Sequence, residues 1–380
     1  MGLFSDESED DFISEIEADL PAPAEELPTP RAAINIIGHR EVEQQLLTLM
    51  ASGKIPHAMI FAGLQGIGKS TMAYRLIKFL LTQKEIDTGP SLFGTPEPAA
   101  PATTFSVSPD DPAVKLIISG GHPDLLTIER EYDEAKSRFK ETVAVDQIRK
   151  VNPFMHLTPF MGGKRIVLID DADTMNNASQ NALLKVLEEP PANAILILIA
   201  HRPGALMPTV RSRCRMIDFA PLAREDFDAL LEKQSSDLDA LYNIAGGSIG
   251  MAQRLMADGA LKSLEKITAL LNQWPRLNWA DIHGQAEVLG GRGNDVDDLQ
   301  GFQDALLWIC EQIAKARARG LTKLPKPLDN PPYTTMLADY SLEGWTKICD
   351  NLKAHFDMVK YGSLDKRQAI LGAFSILQAK

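Results

Sequence analysis

Cysteine is scarce in this chain: Cys214, Cys310 and Cys349 are the three in 380 residues, far apart and without a Cys-x-x-Cys pair. That excludes a disulfide framework and a zinc ribbon built within the chain, and a reducing, cytoplasmic compartment is expected. Long apolar runs are missing too. No stretch approaches the ~20 apolar residues of a membrane span, so a soluble protein is expected. Residues 1–30 hold no Lys or Arg and no apolar run of signal-peptide length, so no secretory leader is read there. Nor is there a surplus of positive charge. The 39 Lys and Arg against 51 Asp and Glu leave a formal −12, which argues against a broadly basic, nucleic-acid-coated surface and confines any DNA contact to a local patch.

What is present is ordinary globular material, 44% hydrophobic and 24% charged. At roughly 100 to 200 residues per domain the length suits two to three domains. The negative charge is concentrated. Residues 1–30 carry ten of the acids unopposed, leaving the other 350 residues at a formal −2, and the segment closes on Pro21, Pro23, Pro28 and Pro30. It reads as a disordered acidic tail, 1–30. The spacing of Phe12, Ile13, Ile16 and Leu20 also suits a short amphipathic helix on a partner.

From about residue 31 to 222, short apolar runs alternate with helical patterns, the signature of an α/β domain with a parallel sheet. Five strands are expected, over Met59–Ala62, Leu125–Ile128, Arg165–Asp170, Ala194–Ala200 and Met216–Phe219. Residues 87–121, rich in Pro, Ala, Ser and Gly, read as an insertion or linker without a packed core of its own. Beyond Pro221 only helical spacing remains, as in Phe227, Leu230, Leu231 and in Ala305, Leu306, Ile309, Ile313. A small helical unit over 223–258 and a second over 259–380 are expected. Trp274, Trp279, Trp308 and Trp345 read as core or subunit-contact residues of these helices. The basic run Lys315, Arg317, Arg319, Lys323 and Lys326 reads as a solvated helix end.

The sharpest motif is Gly63-Leu64-Gln65-Gly66-Ile67-Gly68-Lys69-Ser70, a full GxxxxGK[ST] between the apolar run Met59–Ala62 and a helical segment. In such a loop, glycines let backbone N–H groups converge on phosphate oxygens and the helix N-terminus adds its dipole. Lys69 would reach the β- and γ-phosphates, and Ser70 would ligate Mg²⁺. The buried strand ending in Asp170-Asp171-Ala172-Asp173 supplies a second element. Alone it equally reads as a polar strand end. Beside a P-loop, Asp170 becomes the metal partner of Ser70, and Asp171 stands where many ATPases place a water-positioning glutamate. Its side chain is one methylene shorter, which predicts slow or absent hydrolysis. His57, His122 and His201 lack a second ligand at metal spacing and read as turn or packing residues.

The run Ala178-Ser179-Gln180-Asn181-Ala182-Leu183-Leu184-Lys185-Val186-Leu187-Glu188-Glu189-Pro190-Pro191, followed by Ser212-Arg213-Cys214, resembles the AAA+ subunits of sliding-clamp loaders. Ile37-Gly38-His39, Pro56-His57-Ala58, His122-Pro123-Asp124 and Val145-Asp146-Gln147-Ile148-Arg149 add to the resemblance, which covers about residues 34–222. It implies an AAA+ P-loop domain, a helical lid and an all-α collar that docks to other subunits. By the same resemblance Arg213 matches the arginine finger presented to ATP on a neighbouring subunit. Without that context, Arg211, Arg213 and Arg215 read as a solvated run.

Within the family, motor subunits carry a sensor-2 arginine where this chain reads Gly250, in Gly247-Ser248-Ile249-Gly250. The sensor-1 region Ile199-Ala200-His201-Arg202-Pro203 lacks the motors' threonine. Both departures, with Asp171, point to the delta prime branch. The family's four-cysteine zinc module is absent from 87–121, so no zinc is expected. The intact Lys69 and Ser70 are compatible with ATP and Mg²⁺. The partners implied are gamma/tau and delta subunits in a hetero-oligomer, with the sliding clamp and primed DNA reached through the complex and no membrane. Two alternatives stay open: an ATP-hydrolysing gamma/tau-like motor, and a self-assembling AAA+ regulator.

Overall fold

The computed structural model describes residues 27–52, 55–83, 102–133, 138–140, 142–161, 163–232, 238–257, 260–290, 296–324, 326–360 and 365–378. The expected acidic tail, apart from its last four residues, lies outside them, as does the first part of the 87–121 segment.

In chain order, the first part comprises α1 (Arg40–Ala51), β1 (Ala58–Ala62), α2 (Lys69–Thr82), α3 (Pro112–Ser119), β2 (Leu125–Ile128), the short pair β3 (Tyr132–Asp133) and β4 (Arg138–Phe139), α4 (Val145–Ile148), α5 (Val151–Met155), β5 (Arg165–Ile169), α6 (Asn177–Glu188), β6 (Ala194–Ala200), α7 (Pro208–Arg211) and β7 (Arg215–Asp218). Five strands form one sheet in the order β2-β5-β6-β1-β7, every pairing parallel. They are the five expected from sequence.

A parallel sheet covered by helices on both faces needs strands apolar on both faces, so its interior strands read as unbroken hydrophobic runs. β1, β5 and β6 are buried at every position. Alternate residues then feed two cores. Met59, Phe61, Leu168 and Ile197 pack on one face with Leu46, Leu76 and Ile77 from α1 and α2. Ile60, Val167, Ile169 and Leu198 pack on the other with Ile148, Val151, Leu183 and Leu187 from α4, α5 and α6.

The expectation for 87–121 is corrected in its described part. Asp111 caps α3 by accepting from Ala113 N–H at 2.8 Å, Pro112 opens the helix, and Gly120 ends it at φ 78°. Ile117 and the preceding Phe105 are fully buried in the core of the α2 face, with the Phe105 ring 5.1 Å from that of Phe79. This stretch belongs to the main core; an eight-residue helix is too short to announce itself by periodicity.

After β7 come α8 (Arg224–Leu231), α9 (Leu238–Ala245) and α10 (Ile249–Ala257), packed around Phe227, Leu231, Leu241 and Ala252. Then follow α11 (Ala260–Leu271), α12 (Trp279–Gly290), α13 (Val296–Ala318), α14 (Tyr333–Asp339), α15 (Leu342–Lys360) and α16 (Lys366–Gln378). Their separate core holds Phe302, Tyr333, Trp345 and Phe374. Trp274 is buried there and its indole N–H donates to Asp339; Trp279 and Trp308 are partly buried. Among the described residues no helix is long and apolar enough to cross a membrane.

Candidate nucleotide site

In the sheet order, β6 lies between β1 and β5. The residues just past the C-terminal ends of these three strands therefore converge, at the edge where open α/β sheets bind ligands. After β1 comes the Gly63–Ser70 loop, after β5 the pair Asp170-Asp171, and after β6 His201.

The loop is held by its carbonyls. Lys69 Nζ donates to the carbonyls of Gly63 at 2.8 Å and Leu64 at 2.6 Å. Ser248 Oγ donates to the Gln65 carbonyl at 2.7 Å, and the Gly250 N–H to that of Gly66 at 2.9 Å. His39 Nε2, whose residue caps α1 in a left-handed conformation, meets the Ile67 carbonyl at 2.5 Å. Five successive carbonyls are thus satisfied by other groups. In a planar trans peptide the N–H points opposite to the C=O, so the amides of these peptides are turned away from the groups that hold the carbonyls, and the unsatisfied N–H groups that begin α2 follow them. Gly66 and Gly68 adopt φ 76° and 104°, which a side chain would strain.

Beside the loop lies a cavity of about 330 Å³. Its lining combines apolar side chains, Ile36, Ile37, Leu222 and Ile249 among them, with the polar Lys69, Ser70 and His201. The segment around Ala33 that forms one wall is fixed by the buried Lys78, whose Nζ donates to the Ala33 carbonyl at 2.7 Å. A cavity with apolar walls beside a phosphate-type loop has the character of a nucleotide site.

Ser70 Oγ donates to Asp170 Oδ2 at 3.0 Å, so the serine and acid expected as metal partners are adjacent. Burial, reinforced by the charge of Asp171, raises the Asp170 pKa. This pair of hard oxygen donors fits Mg²⁺ carried with a nucleotide.

Asp171 is arranged differently. It takes a left-handed backbone at φ 50°, and both carboxylate oxygens are engaged: Oδ2 by Arg130 Nε at 2.6 Å and Oδ1 by His201 Nε2 at 2.6 Å. Burial pushes its pKa up, but the hydrogen bonds from His201 and Arg130 outweigh this and hold it below the usual value. The other nitrogen of His201, Nδ1, lies 2.8 Å from Lys69 Nζ. An ammonium only donates, so Nδ1 accepts and Nε2 carries the hydrogen that Asp171 receives. Arg130, Asp171, His201 and Lys69 thus form one chain. Burial lowers the Lys69 pKa to about 8 despite the nearby Asp170, Asp173 and Asp171. Asp173 anchors the end of β6, accepting from the N–H groups of His201 at 3.0 Å and Arg202 at 3.1 Å.

Gly63, Gly66, Gly68, Lys69, Ser70, Asp170 and Asp171 are therefore gathered at one place, and Arg213 is not among the residues lining the cavity. Arg213 lies past α7, half-exposed, paired with Glu188. The reading of His201 as a turn or packing residue is corrected: it bridges the P-loop lysine and the strand-end acid. Its signal in the sequence was its position directly after a buried strand, as with Asp170. Arg130 carried no comparable mark, and His39 and Ser248 stood in family motifs without a role of their own.

Residues 103–223 match the family described as "DNA polymerase III, delta subunit". The chain is 32% identical over 241 residues to DNA polymerase III subunit delta' of Pseudomonas aeruginosa, and 29% identical over 244 residues to that of Escherichia coli. The chain is thus similar to the delta prime subunits of clamp loaders. The two alignments cover 60% and 63% of this chain and 66% of each relative, so the chain spans just under two thirds of the delta prime proteins it matches. DNA polymerase III subunit gamma/tau of Mycobacterium tuberculosis is 28% identical over 329 residues, 78% of this chain and 52% of the relative. Among solved structures, a DNA polymerase III gamma subunit-related protein of Thermotoga maritima overlays with a TM-score of 0.40 at 16% identity, covering 88% of this chain and 98% of its own.

Proposed function

We propose that this chain acts as a delta prime subunit within a clamp loader, helping to place a sliding clamp on primed DNA in a hetero-oligomer with gamma/tau and delta subunits. Residues 31–222 serve as the P-loop unit, 223–258 as the lid, and 259–380 as the collar that docks to the other subunits. Arg213 reaches the ATP of a neighbour. A guanidinium presented across an interface stabilises charge developing on the γ-phosphate and makes hydrolysis conditional on assembly. The chain's own P-loop binds ATP with Mg²⁺ on Ser70 and Asp170, holds no zinc, and contributes little or no turnover.

The observation that supports the silent site is the state of Asp171. A carboxylate that orients an attacking water must turn toward it, and the carboxylate of Asp171 is held instead between Arg130 and His201, one on each oxygen. The lid adds to this, since it meets the P-loop through Gly250, where a motor subunit would place an arginine.

The test is ATP binding and turnover by the isolated chain, with Lys69→Ala as control. Binding without turnover, lost in Lys69→Ala, is the expected result. The longer alignment with gamma/tau favours a second reading, a motor subunit. Steady Lys69-dependent hydrolysis would place that reading first and overturn the silent site.

A further inference from the structure

Arg213 follows α7 in a turn closed by its own N–H on the Val210 carbonyl at 3.2 Å and by Ser212 Oγ on the Thr209 carbonyl at 3.2 Å. Arginine on such a turn is among the side chains with most rotamer freedom to lose, and a group that must meet a phosphate in another subunit acts only when that freedom is restricted beforehand. Two contacts restrict it. NH1 donates to the Thr209 carbonyl at 3.0 Å, and NH2 pairs with Glu188 Oε1 at 2.9 Å.

The two differ in what they transmit. Thr209 belongs to the same turn and moves with it. Glu188 is the last residue of α6, whose Leu183, Val186 and Leu187 are buried in the core beneath the sheet. Its carboxylate therefore refers the guanidinium to the rigid body of the domain. A guanidinium has five N–H donors. The hydrogen bond to Thr209 uses NH1 and the ion pair with Glu188 lies at NH2, so donors remain for a phosphate. Both side chains are reachable from solvent, at 36% exposure for Arg213 and 50% for Glu188.

We infer that Glu188 is a positioning residue for Arg213, fixing the plane of the guanidinium so that its free donors face the neighbouring subunit's nucleotide. This rests on the reading of Arg213 as a finger acting in trans, and it assigns a role to the helix-terminal glutamate that precedes Glu189-Pro190-Pro191. An exposed ion pair of this kind contributes modestly, so removing its charge is expected to lower the rate at the finger-dependent site by about fivefold.

The experiment uses a clamp loader reconstituted from the full chain with its gamma and delta partners, and compares wild type, Glu188→Gln, Arg213→Ala and the double variant by clamp- and DNA-stimulated ATP turnover. The expected result is a drop in kcat for Glu188→Gln with KM for ATP unchanged, and no further drop when Glu188→Gln is added to Arg213→Ala. A full loss in Arg213→Ala with none in Glu188→Gln would overturn the positioning role and leave the finger reading standing. An equal cost of Glu188→Gln with and without Arg213 would also overturn it, since the glutamate would then act elsewhere. No effect of Arg213→Ala would remove the finger reading itself.

Discussion

The amide nitrogen of Gly250, in the first turn of α10, lies 2.9 Å from the carbonyl oxygen of Gly66 at the crest of the P-loop. The backbones meet so closely that a Cβ built on Gly250 would stand 2.8 Å from Gly66 Cα, and one on Gly66 would stand 2.9 Å from Gly250 Cα. The helical unit α8–α10 is therefore attached to the main chain of the Gly63–Ser70 loop.

That contact sets two effects of Gly250→Ala against each other. Alanine inside a helix is favoured over glycine by about 0.5 to 1 kcal/mol. The clash is with backbone, which no rotamer relieves, and overpacking of this kind costs about 1 to 3 kcal/mol. The expected outcome is a net loss of stability, read as a lower midpoint in thermal unfolding, accompanied by weaker nucleotide binding. A raised midpoint would mean that α10 and the loop are not in backbone contact.

Arg130→Met should cost about 2 kcal/mol at neutral pH, between the small worth of exposed pairs and the 3 to 5 of buried ones, because Arg130 and Asp171 are only partly exposed. The pH dependence has a definite sign. Asp171 has a folded pKa below its ordinary 3.8, so the stability it supplies is present above that value and is lost as pH falls through the folded pKa. The gap between wild type and variant in denaturant unfolding should be constant from pH 7 to about 5 and shrink below 4. A gap that persisted unchanged at pH 3 would mean that Arg130 acts by packing, for instance on Phe139, 5.9 Å beneath its guanidinium.

Lys78 gives a slope of the same sign in the alkaline range. It is fully buried on α2 and donates to the Ala33 carbonyl, and burial lowers its pKa from 10.5 to about 8. Between those values the unfolded chain holds a proton that the folded chain has released, so stability rises with pH across about 8 to 10.5. Lys69 is shifted the same way, to about 8, so the wild-type slope should reflect two groups. Lys78→Met should remove about half of it in denaturant titrations. A slope unaltered by the substitution would place the titration elsewhere.

How much of this was legible follows from the period of each signal. The strands were readable because burial on both faces writes a run such as Ala194–Ala200 with no polar residue in it. Lys69, Ser70 and Asp170 were readable because a P-loop fixes their types and spacing. His201 was not: a single histidine shows nothing until the sheet order sets β6 between β1 and β5. The role of Gly250 was visible as a missing arginine, whereas its contact with Gly66, 184 positions earlier in the sequence, depends on how α8–α10 fold back. The helix over Pro112–Ser119 was hidden by the Pro- and Ala-rich composition around it.

The loop Leu157–Met161 is the clearest case of buried charge holding exposed apolar side chains. Phe160 is 81% exposed, and Leu157 and Met161 more than half. Such residues on a mobile loop would fold inward, but their backbone is fixed. Asp124, with no exposure, accepts from the Phe160 N–H at 2.7 Å through one oxygen and from the Met161 N–H at 2.9 Å through the other. Arg165 lies 3.4 Å from Asp124 and also donates to the Thr158 carbonyl at 2.7 Å. Asp124→Asn would replace one acceptor by an NH₂ facing an N–H donor and leave Arg165 without its counter-charge. About 3 kcal/mol of global stability is expected to be lost, with faster amide hydrogen exchange at Phe160 or Met161 in particular, since whichever of the two faces the new NH₂ loses its acceptor directly. Exchange at those two amides no faster than at Ile166, held by the Asp124 carbonyl at 2.9 Å, would mean that the loop keeps its shape without the carboxylate.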